Sequence, residues 1–122
     1  MVSVVERSLI LSIRPQFADA ILSGRKTVDL RRRRPNLPLG ALAFMYVSSP
    51  VSSVTGIFCA TQVMSASADT LWRLAGDRSF VRREYYDRYF SGASEAHAIV
   101  IDCVHGLPTP LPLHTLRTIW PG

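Results

Sequence analysis

The sequence predicts an α+β domain, a small curled sheet or barrel with short helices at its ends. Short apolar runs indicate strands, and segments with helical spacing between them end at glycines. Two strand-like runs also follow each other with only a tight turn between, which favours antiparallel pairing. With 122 residues the chain is the size of one domain, residues 1–122, and can bury a core without disulfides.

The first half of the chain contains three predicted strands and one helix. Pro15 suits a first helical turn and Gly24 a helix end, so a helix is expected between them. Polar and apolar residues then alternate as in a strand with one buried face, and a run that is apolar on both faces follows. The predicted elements are a strand at Leu9–Ile13, a helix at Pro15–Ser23 and strands at Thr27–Arg33 and Ala41–Val47.

The second half alternates strand and helix signals. A longer strand contains Gly56, which indicates a bulge or a close backbone approach. Asp69 and Ser79 are expected to cap two helices that stop at Gly76 and Gly92. The predicted elements are a strand at Val54–Val63, helices at Thr70–Ala75 and Phe80–Phe90, a strand at His97–Val104 and a helix at Leu113–Ile119. In the second of these helices, the expected core residues are Phe80, Val81 and Tyr85.

Composition excludes several classes of protein. An apolar content of 48% and a charged content of 19% exclude disorder, and no apolar run approaches the ~20 residues of a membrane-spanning helix. The segment Met1–Ser8 is too short and polar for a secretory signal, so a cytoplasmic protein is expected. Cys59 and Cys103 lie in strand-like runs and are expected to be buried free thiols, although a pair could bridge.

The charge of the chain is basic and unevenly distributed. Fourteen basic against nine acidic residues give a net charge of +5, which favours an anionic partner such as nucleic acid or a nucleotide. Six of the 14 lie within ten positions, at Arg25, Lys26 and Arg31 to Arg34, and Lys26 is the only lysine. Two interpretations stay open. The predicted strand Thr27–Arg33 either lines an anion-binding cleft, in which Asp29 orients Arg31 or reads a base, or it is a solvated edge strand whose charge blocks unwanted pairing.

The same segment resembles a known family. Gly24-x-Lys26-x-x-Asp29-x-Arg31 is similar to the GxKxxExR signature of the ASCH (activating signal cointegrator homology) domain, a branch of the PUA-like superfamily. Further stretches resemble the family from about Leu9 to Leu116: Leu11-Ser-Ile-Arg-Pro, Met45-Tyr-Val-Ser-Ser-Pro-Val and Tyr86-Asp-Arg-Tyr-Phe-Ser-Gly.

The resemblance implies a PUA-like small β-barrel of five to six mostly antiparallel strands with three to four short helices. It also implies a cleft beside the motif that binds RNA or a modified nucleotide. The residues expected to bind the ligand are Gly24, Lys26, Asp29, Arg31, Arg33, Ser48, Ser49 and Tyr89. Asp29 replaces the family's glutamate, which keeps the carboxylate but shortens its reach by one methylene.

Some proteins of this kind are hydrolases, which gives an alternative function with Lys26 and Asp29 as the catalytic residues. In an acetylcytidine-type amidohydrolase, the motif lysine acts on a threonine three residues later, but that position is Asp29 here. In a ribonuclease, Lys26 would be the base or the cation. A hydroxyl or a second carboxylate such as Glu84 or Asp87 near Lys26 would favour hydrolysis, whereas arginines and Asp29 alone would favour binding.

Other partners are not expected. The sequence lacks the Cys and His spacings of metal sites and any glycine-rich phosphate loop, so no metal and no cofactor is predicted. The sequence shows no histidine pair at a useful local spacing, so His97, His105 and His114 are expected to have structural roles. The protein is expected to be a monomer or a weak dimer without membrane contact. A regulatory module that senses a nucleotide-like ligand is a third interpretation.

Overall fold

A mixed sheet of five strands organises the chain in the computed structural model, which describes residues 9–38 and 40–115. The strands are β1 (Leu9–Ile13), β2 (Val28–Arg31), β3 (Ala41–Val47), β4 (Ser53–Ala66) and β5 (Ala96–Pro112). Their spatial order is β1-β3-β4-β5-β2. The β1–β3 pair is parallel, and the other three pairs are antiparallel, including the predicted β3–β4 pair. No pairing between β1 and β2 occurs within the described residues, so closure into a barrel stays a prediction.

Three α-helices pack on this sheet: α1 (Pro15–Leu22), α2 (Ala68–Ala75) and α3 (Arg83–Phe90). A single 3₁₀ turn, Gly76–Arg78, follows α2. The predicted order of strands and helices is confirmed up to β5. Residues 113–115 are helical, and the rest of the predicted helix Leu113–Ile119 lies outside the described residues.

Two predicted helix caps are wrong. The Oγ atom of Ser67, not Asp69, accepts the capping hydrogen bond, which comes from the backbone N–H of Thr70 at 3.2 Å, so α2 begins earlier. Ser79 does not cap α3, because Phe80 has a left-handed backbone with a φ of 57° and the helix begins only at Arg83. A bulky residue rarely adopts that conformation, and no sequence pattern signals it.

The later start of α3 changes which of its side chains form the core. Tyr86 and Phe90 are buried, and the Tyr86 hydroxyl donates to the Ala68 carbonyl at 2.6 Å. Of the three residues expected in the core, Val81 is half-buried and packs against it, whereas Phe80 is 46% exposed and Tyr85 is half-buried outside it, so the prediction is wrong for these two. A helical period of 3.6 residues fits both aromatic stripes, and the true start of the helix selects the stripe at 86 and 90.

The strands also differ in detail from the prediction. β2 is shorter, and its Asp29 is buried rather than solvated. β3 alternates between buried and half-buried residues instead of being buried on both faces. In β4, a register shift between Val54 and Gly56 confirms the bulge, and a Cβ on Gly56 would lie 3.0 Å from the His105 carbonyl oxygen. Cys59 is half-buried and Cys103 is exposed, and both are free, so the expected burial of Cys103 is wrong.

β5 continues eight residues beyond the predicted end at Val104. Its prolines at 108, 110 and 112 are spaced by two, so their missing N–H groups all point to one side of the strand. β2 pairs only with the first part of β5, at residues 97–100. Beyond Ile101, whose N–H donates to the Thr27 carbonyl at 3.0 Å, β4 is the one strand that pairs with β5 within the described residues, and the free edge on the other side tolerates proline.

Two groups of buried side chains form the core. One lies where α1 packs on β1, β3, β4 and β5, and Phe58 is fully buried in it. The other lies where α2 and α3 pack against β2 and β5, around Leu71 and Tyr86. The two groups meet at β5, which supplies Ile99 to the first and Ala98 to the second. Because α1 packs in the first group and β2 in the second, the Gly24–Thr27 turn connects the two groups.

We expect the substitution Phe58→Ala to lower the free energy of unfolding by about 3–5 kcal/mol, because it removes a fully buried ring and leaves a cavity. The matched change Phe80→Ala should lower it by less than about 1 kcal/mol, because that ring is exposed. Urea denaturation followed by circular dichroism measures both. Equal losses would contradict the assignment of these two phenylalanines to core and surface.

Candidate functional site

A pocket of about 110 Å³ lies between β1 and β2, the two strands at the edges of the sheet. Its walls come from the end of β1, from α1 and the turn that follows it, from the motif strand β2, and from α3 with the residue Val81 that precedes it. The lining residues are Ser12, Ile13, Arg14, Phe17, Lys26, Asp29, Leu30, Arg31, Val81, Tyr85 and Tyr89. The pocket therefore exists where the sheet stays open.

A tight turn after α1 carries Lys26 into this pocket. Gly24 has a φ of 81°, which a residue with a side chain rarely adopts. The backbone N–H groups of Arg25 and Lys26 both donate to the Ala20 carbonyl, at 2.9 and 3.0 Å. The N–H of Thr27 donates to the Arg78 carbonyl at 2.9 Å. Gly24 thus shapes the turn and does not line the pocket, and its expected contribution to ligand binding stays a prediction.

The side chain of Lys26 is buried, with only 2% of its surface exposed. Its Nζ atom donates to the Ser79 carbonyl oxygen at 2.5 Å and lies 4.6 Å from the centre of the Phe17 ring. Burial lowers the pKa of Lys26 to about 8; the Asp29 carboxylate opposes this shift and Arg31 adds to it. At neutral pH the group is mostly cationic, with a minor neutral fraction.

Asp29 and Arg31 form an ion pair on the same face of β2. Arg31 Nε and Nη2 lie 2.8 and 2.7 Å from Asp29 Oδ2. Arg31 Nη2 also donates to the Ser12 carbonyl of β1 at 3.2 Å, so this guanidinium joins the two edges of the sheet. The carboxylate of Asp29 is committed to Arg31 and holds it at the pocket.

Three aromatic rings form one wall of the pocket. The Phe17 and Tyr85 rings meet edge to face, with centres 5.7 Å apart, and the Tyr85 and Tyr89 rings are stacked, with centres 6.1 Å apart. The Tyr89 hydroxyl donates to the Leu30 carbonyl at 3.1 Å, and burial raises the pKa of Tyr89. This wall presents flat apolar surface beside cationic groups.

The structure brings together four of the eight residues expected to bind a ligand: Lys26, Asp29, Arg31 and Tyr89. Arg33 is exposed beyond the end of β2 and does not line the pocket. Ser48 and Ser49 lie in the turn between β3 and β4, where the N–H of Ser48 donates to the Ile13 carbonyl, and they do not line it either.

Several pocket residues lie outside the predicted ligand-binding set. Ser12 and Arg14 follow from the proximity of β1 to β2, which the chain order does not reveal. Tyr85 is expected in the core, and no pattern in the sequence singles out Phe17. The four-residue spacing of Tyr85 and Tyr89 on one helix is the signal that places both rings in the same wall.

Neither of the two additional carboxylates considered from the sequence lies in the pocket. Asp87 accepts from Arg83 Nε at 2.8 Å, and Glu84 is exposed. His97 is buried outside the pocket, with its Nδ1 2.7 Å from Ser65 Oγ. Among the described residues, no group of three or more His, Cys, Asp or Glu side chains is arranged to hold a metal, and no helix is long and apolar enough to cross a membrane.

The pocket has an excess of positive charge. It is lined by three cationic side chains, Arg14, Lys26 and Arg31, and by the single carboxylate of Asp29. The difference of three cations and one anion is two positive charges. An anionic group such as a phosphate, with a flat group attached, is the ligand that fits this combination of charge and aromatic surface.

The mixed five-stranded sheet with short helices and a pocket at its open edge define an α+β domain of the PUA-like fold. No family model matches the chain. A curated relative, the ASCH domain-containing ribonuclease of Zymomonas mobilis, is 36% identical over 113 residues, which are 93% of this chain and 76% of the relative. The chain belongs to the ASCH domain family.

Solved structures agree with this assignment. The crystal structure of ASCH from Zymomonas mobilis matches with a TM-score of 0.86 and 34% identity, covering 93% of this chain and 78% of that chain. A form of that protein with a tyrosine replaced by phenylalanine also has a TM-score of 0.86, with 33% identity and coverage of 93% and 81%.

We expect the amine of Lys26 to titrate near pH 8. Because Lys26 is the only lysine, labelling with lysine carrying ¹³C at Cε gives a single side-chain resonance for NMR. Its midpoint should lie near 8 rather than the ordinary 10.5. Asp29→Asn should lower this midpoint, since the carboxylate favours the charged amine, and Arg31→Gln should raise it.

The same pKa predicts a dependence of stability on pH. Between pH 8 and 10.5 the unfolded chain binds more protons at this lysine than the folded chain, so stability contributed by this group rises with pH. Replacing Lys26 by methionine should abolish this contribution, so the stability difference between wild type and Lys26→Met should change between pH 8 and 10, while the tyrosines and cysteines that titrate in both proteins cancel. A lysine midpoint above 10 would contradict a buried amine.

Proposed function

We propose that this chain binds RNA and holds a phosphate of one strand in the pocket between β1 and β2. The observation that carries the proposal is the buried Lys26 ammonium in a pocket with two excess positive charges. The family supports it, because the Zymomonas mobilis relative is named a ribonuclease.

The distribution of partners explains why an anion is favoured. The carboxylate of Asp29 is engaged by Arg31, whereas the direct hydrogen-bond acceptor of Lys26 is the neutral Ser79 carbonyl. A phosphate oxygen beside Lys26 and Arg31 would supply the counter-charge that the pocket lacks. The ring of Tyr85 or Tyr89 would then contact the attached base, as aromatic residues do in single-stranded RNA recognition.

We expect Lys26→Met and Arg31→Gln each to weaken RNA binding roughly tenfold at low salt, because each removes a cation that contacts phosphate. The slope of log affinity against log salt should also become shallower by about 0.7 per lost phosphate contact. Fluorescence anisotropy with a labelled single-stranded RNA over a salt series measures both quantities.

Arg33→Gln is the matched control, because it removes the same charge from the same segment but outside the pocket. Its effect should be smaller than that of Arg31→Gln. If Lys26→Met and Arg31→Gln bind RNA as tightly as wild type does, the pocket is not the RNA site.

A second candidate function, ribonuclease, is favoured by the lowered pKa of Lys26. A neutral fraction of this amine could accept the proton of a ribose 2′-hydroxyl, whose oxygen attacks the adjacent phosphorus and expels the 5′-oxygen, which takes a proton from water. The products are a 2′,3′-cyclic phosphate and a 5′-hydroxyl. No observation favours an amidohydrolase with a threonine nucleophile, because the Thr27 hydroxyl accepts from Arg78 Nε at 3.1 Å and lies outside the pocket.

If Lys26 is the base, Lys26→Arg should keep RNA binding within about threefold but reduce cleavage by roughly 100-fold or more, because a guanidinium stays protonated. The wild-type rate should rise with pH up to about 8. Mass spectrometry of the products identifies the cyclic phosphate, and an RNA with deoxyribose at the cleaved position is the control substrate. Cleavage by Lys26→Arg at the wild-type rate would exclude this role and leave binding as the function.

A further inference from the structure

We propose that the surface leading away from the pocket binds the flanking nucleotides of a single RNA strand, with the Phe80 ring as a platform on which a base stacks. This inference rests on the proposed function. This surface consists of Phe80, Val81, Arg82 and Arg88 with the neighbouring Arg25.

Two open cavities adjoin the pocket in sequence, each sharing lining residues with the one before it. One, of about 400 Å³, shares Phe17, Val81 and Tyr85 with the pocket. The next, of about 800 Å³, shares Phe80, Val81 and Arg82 with the first. For a strand whose phosphate occupies the pocket, these neighbouring cavities are the surface on which its next nucleotides would lie.

Phe80 stands at the boundary of the two outer cavities. Its ring is 46% exposed although its backbone has a strained φ of 57°. Residues in sparsely populated backbone conformations persist where the surrounding structure holds them, and they are frequent in binding sites. The Arg25 guanidinium lies 4.8 Å from the ring centre, and its Nε donates to Ser23 Oγ at 2.8 Å, which fixes it there. Because the guanidinium lies over the ring, a base would stack on the part of the ring that Arg25 leaves exposed, and the guanidinium would attract the phosphate attached to that base.

The charge along these cavities suits a nucleic acid strand. The outer cavities add three arginines, Arg73, Arg82 and Arg88, against the two acids Asp77 and Glu84. Arg82 and Arg88 are exposed and have no ion-pair partner within residues 9–38 and 40–115. Because a stacking platform needs an accessible base face, the expected occupant is a single strand and not a duplex.

The test compares a uridine mononucleotide with a uridine hexanucleotide by calorimetry on wild type and variants. Phe80→Leu keeps the apolar bulk but removes the aromatic face. It should weaken hexanucleotide binding by roughly 5- to 150-fold and leave mononucleotide binding unchanged. Phe80→Trp should retain hexanucleotide affinity. Leu74→Ala, a change at another exposed apolar residue, is the matched control and should alter neither.

The remaining outcomes separate this inference from the proposed function. Unchanged hexanucleotide affinity in Phe80→Leu together with weakened binding in Lys26→Met would overturn the platform and keep the pocket. Equal losses for both ligands in Phe80→Leu would mean that Phe80 acts through Ser79 on Lys26, which also overturns the platform. The single-strand proposal would be overturned if Phe80→Leu weakened duplex binding as much as hexanucleotide binding. It would also be overturned if the protein self-associated and Phe80→Leu abolished that association. If wild type binds neither oligonucleotide nor mononucleotide, both proposals fail.

Discussion

The burial of a single ammonium group is the constraint on which the rest of the site depends. Removing such a charge from water is unfavourable by several kcal/mol unless partners replace the lost hydration. Lys26 has three kinds of partner: the Ser79 carbonyl at 2.5 Å, the face of the Phe17 ring at 4.6 Å and the charge of Asp29. These partners do not restore its ordinary pKa, because the loss of hydration outweighs the charge of Asp29. A further negative charge beside the amine would therefore favour its cationic form.

The need for the Ser79 carbonyl explains the conformation of the segment between α2 and α3. Ser79 Oγ donates to the Gly76 carbonyl at 2.6 Å, which fixes the 3₁₀ turn. A Cβ at Gly76 would lie 2.5 Å from the Trp72 ring, so only glycine fits there. Arg78 and Thr27 bind each other through backbone and side chain, which ties this segment to the motif strand. The glycine that ends α2 in the sequence pattern is thus also required for the placement of Lys26.

The sequence predicts the order of the elements well, because proline, glycine and alternation act locally. It also predicts Asp29 and Arg31 as a pair, because a strand places alternate residues on one face, and the resemblance to the ASCH motif adds Lys26 from the preceding turn. It does not predict the left-handed backbone of Phe80, which depends on tertiary contacts, and so it misplaces the start of α3. Nor does it predict Ser12 and Arg14 in the pocket, because the proximity of β1 to β2 follows from the curvature of the whole sheet. The contribution of Arg33, Ser48 and Ser49 to ligand binding remains a prediction.

The open edge of the sheet and the cationic pocket are the same structural feature. The sequence left two interpretations of the basic strand, an anion site and a charged edge that blocks unwanted pairing. Arg31 satisfies both, because it donates to the Ser12 carbonyl of β1 while it is held by Asp29. If β1 and β2 were joined by a backbone ladder instead, the space that holds the pocket would be filled by strand pairing. Arg31 therefore stabilises the open edge of the sheet without closing it. Because the charge that protects this edge is positive, the same edge attracts anions.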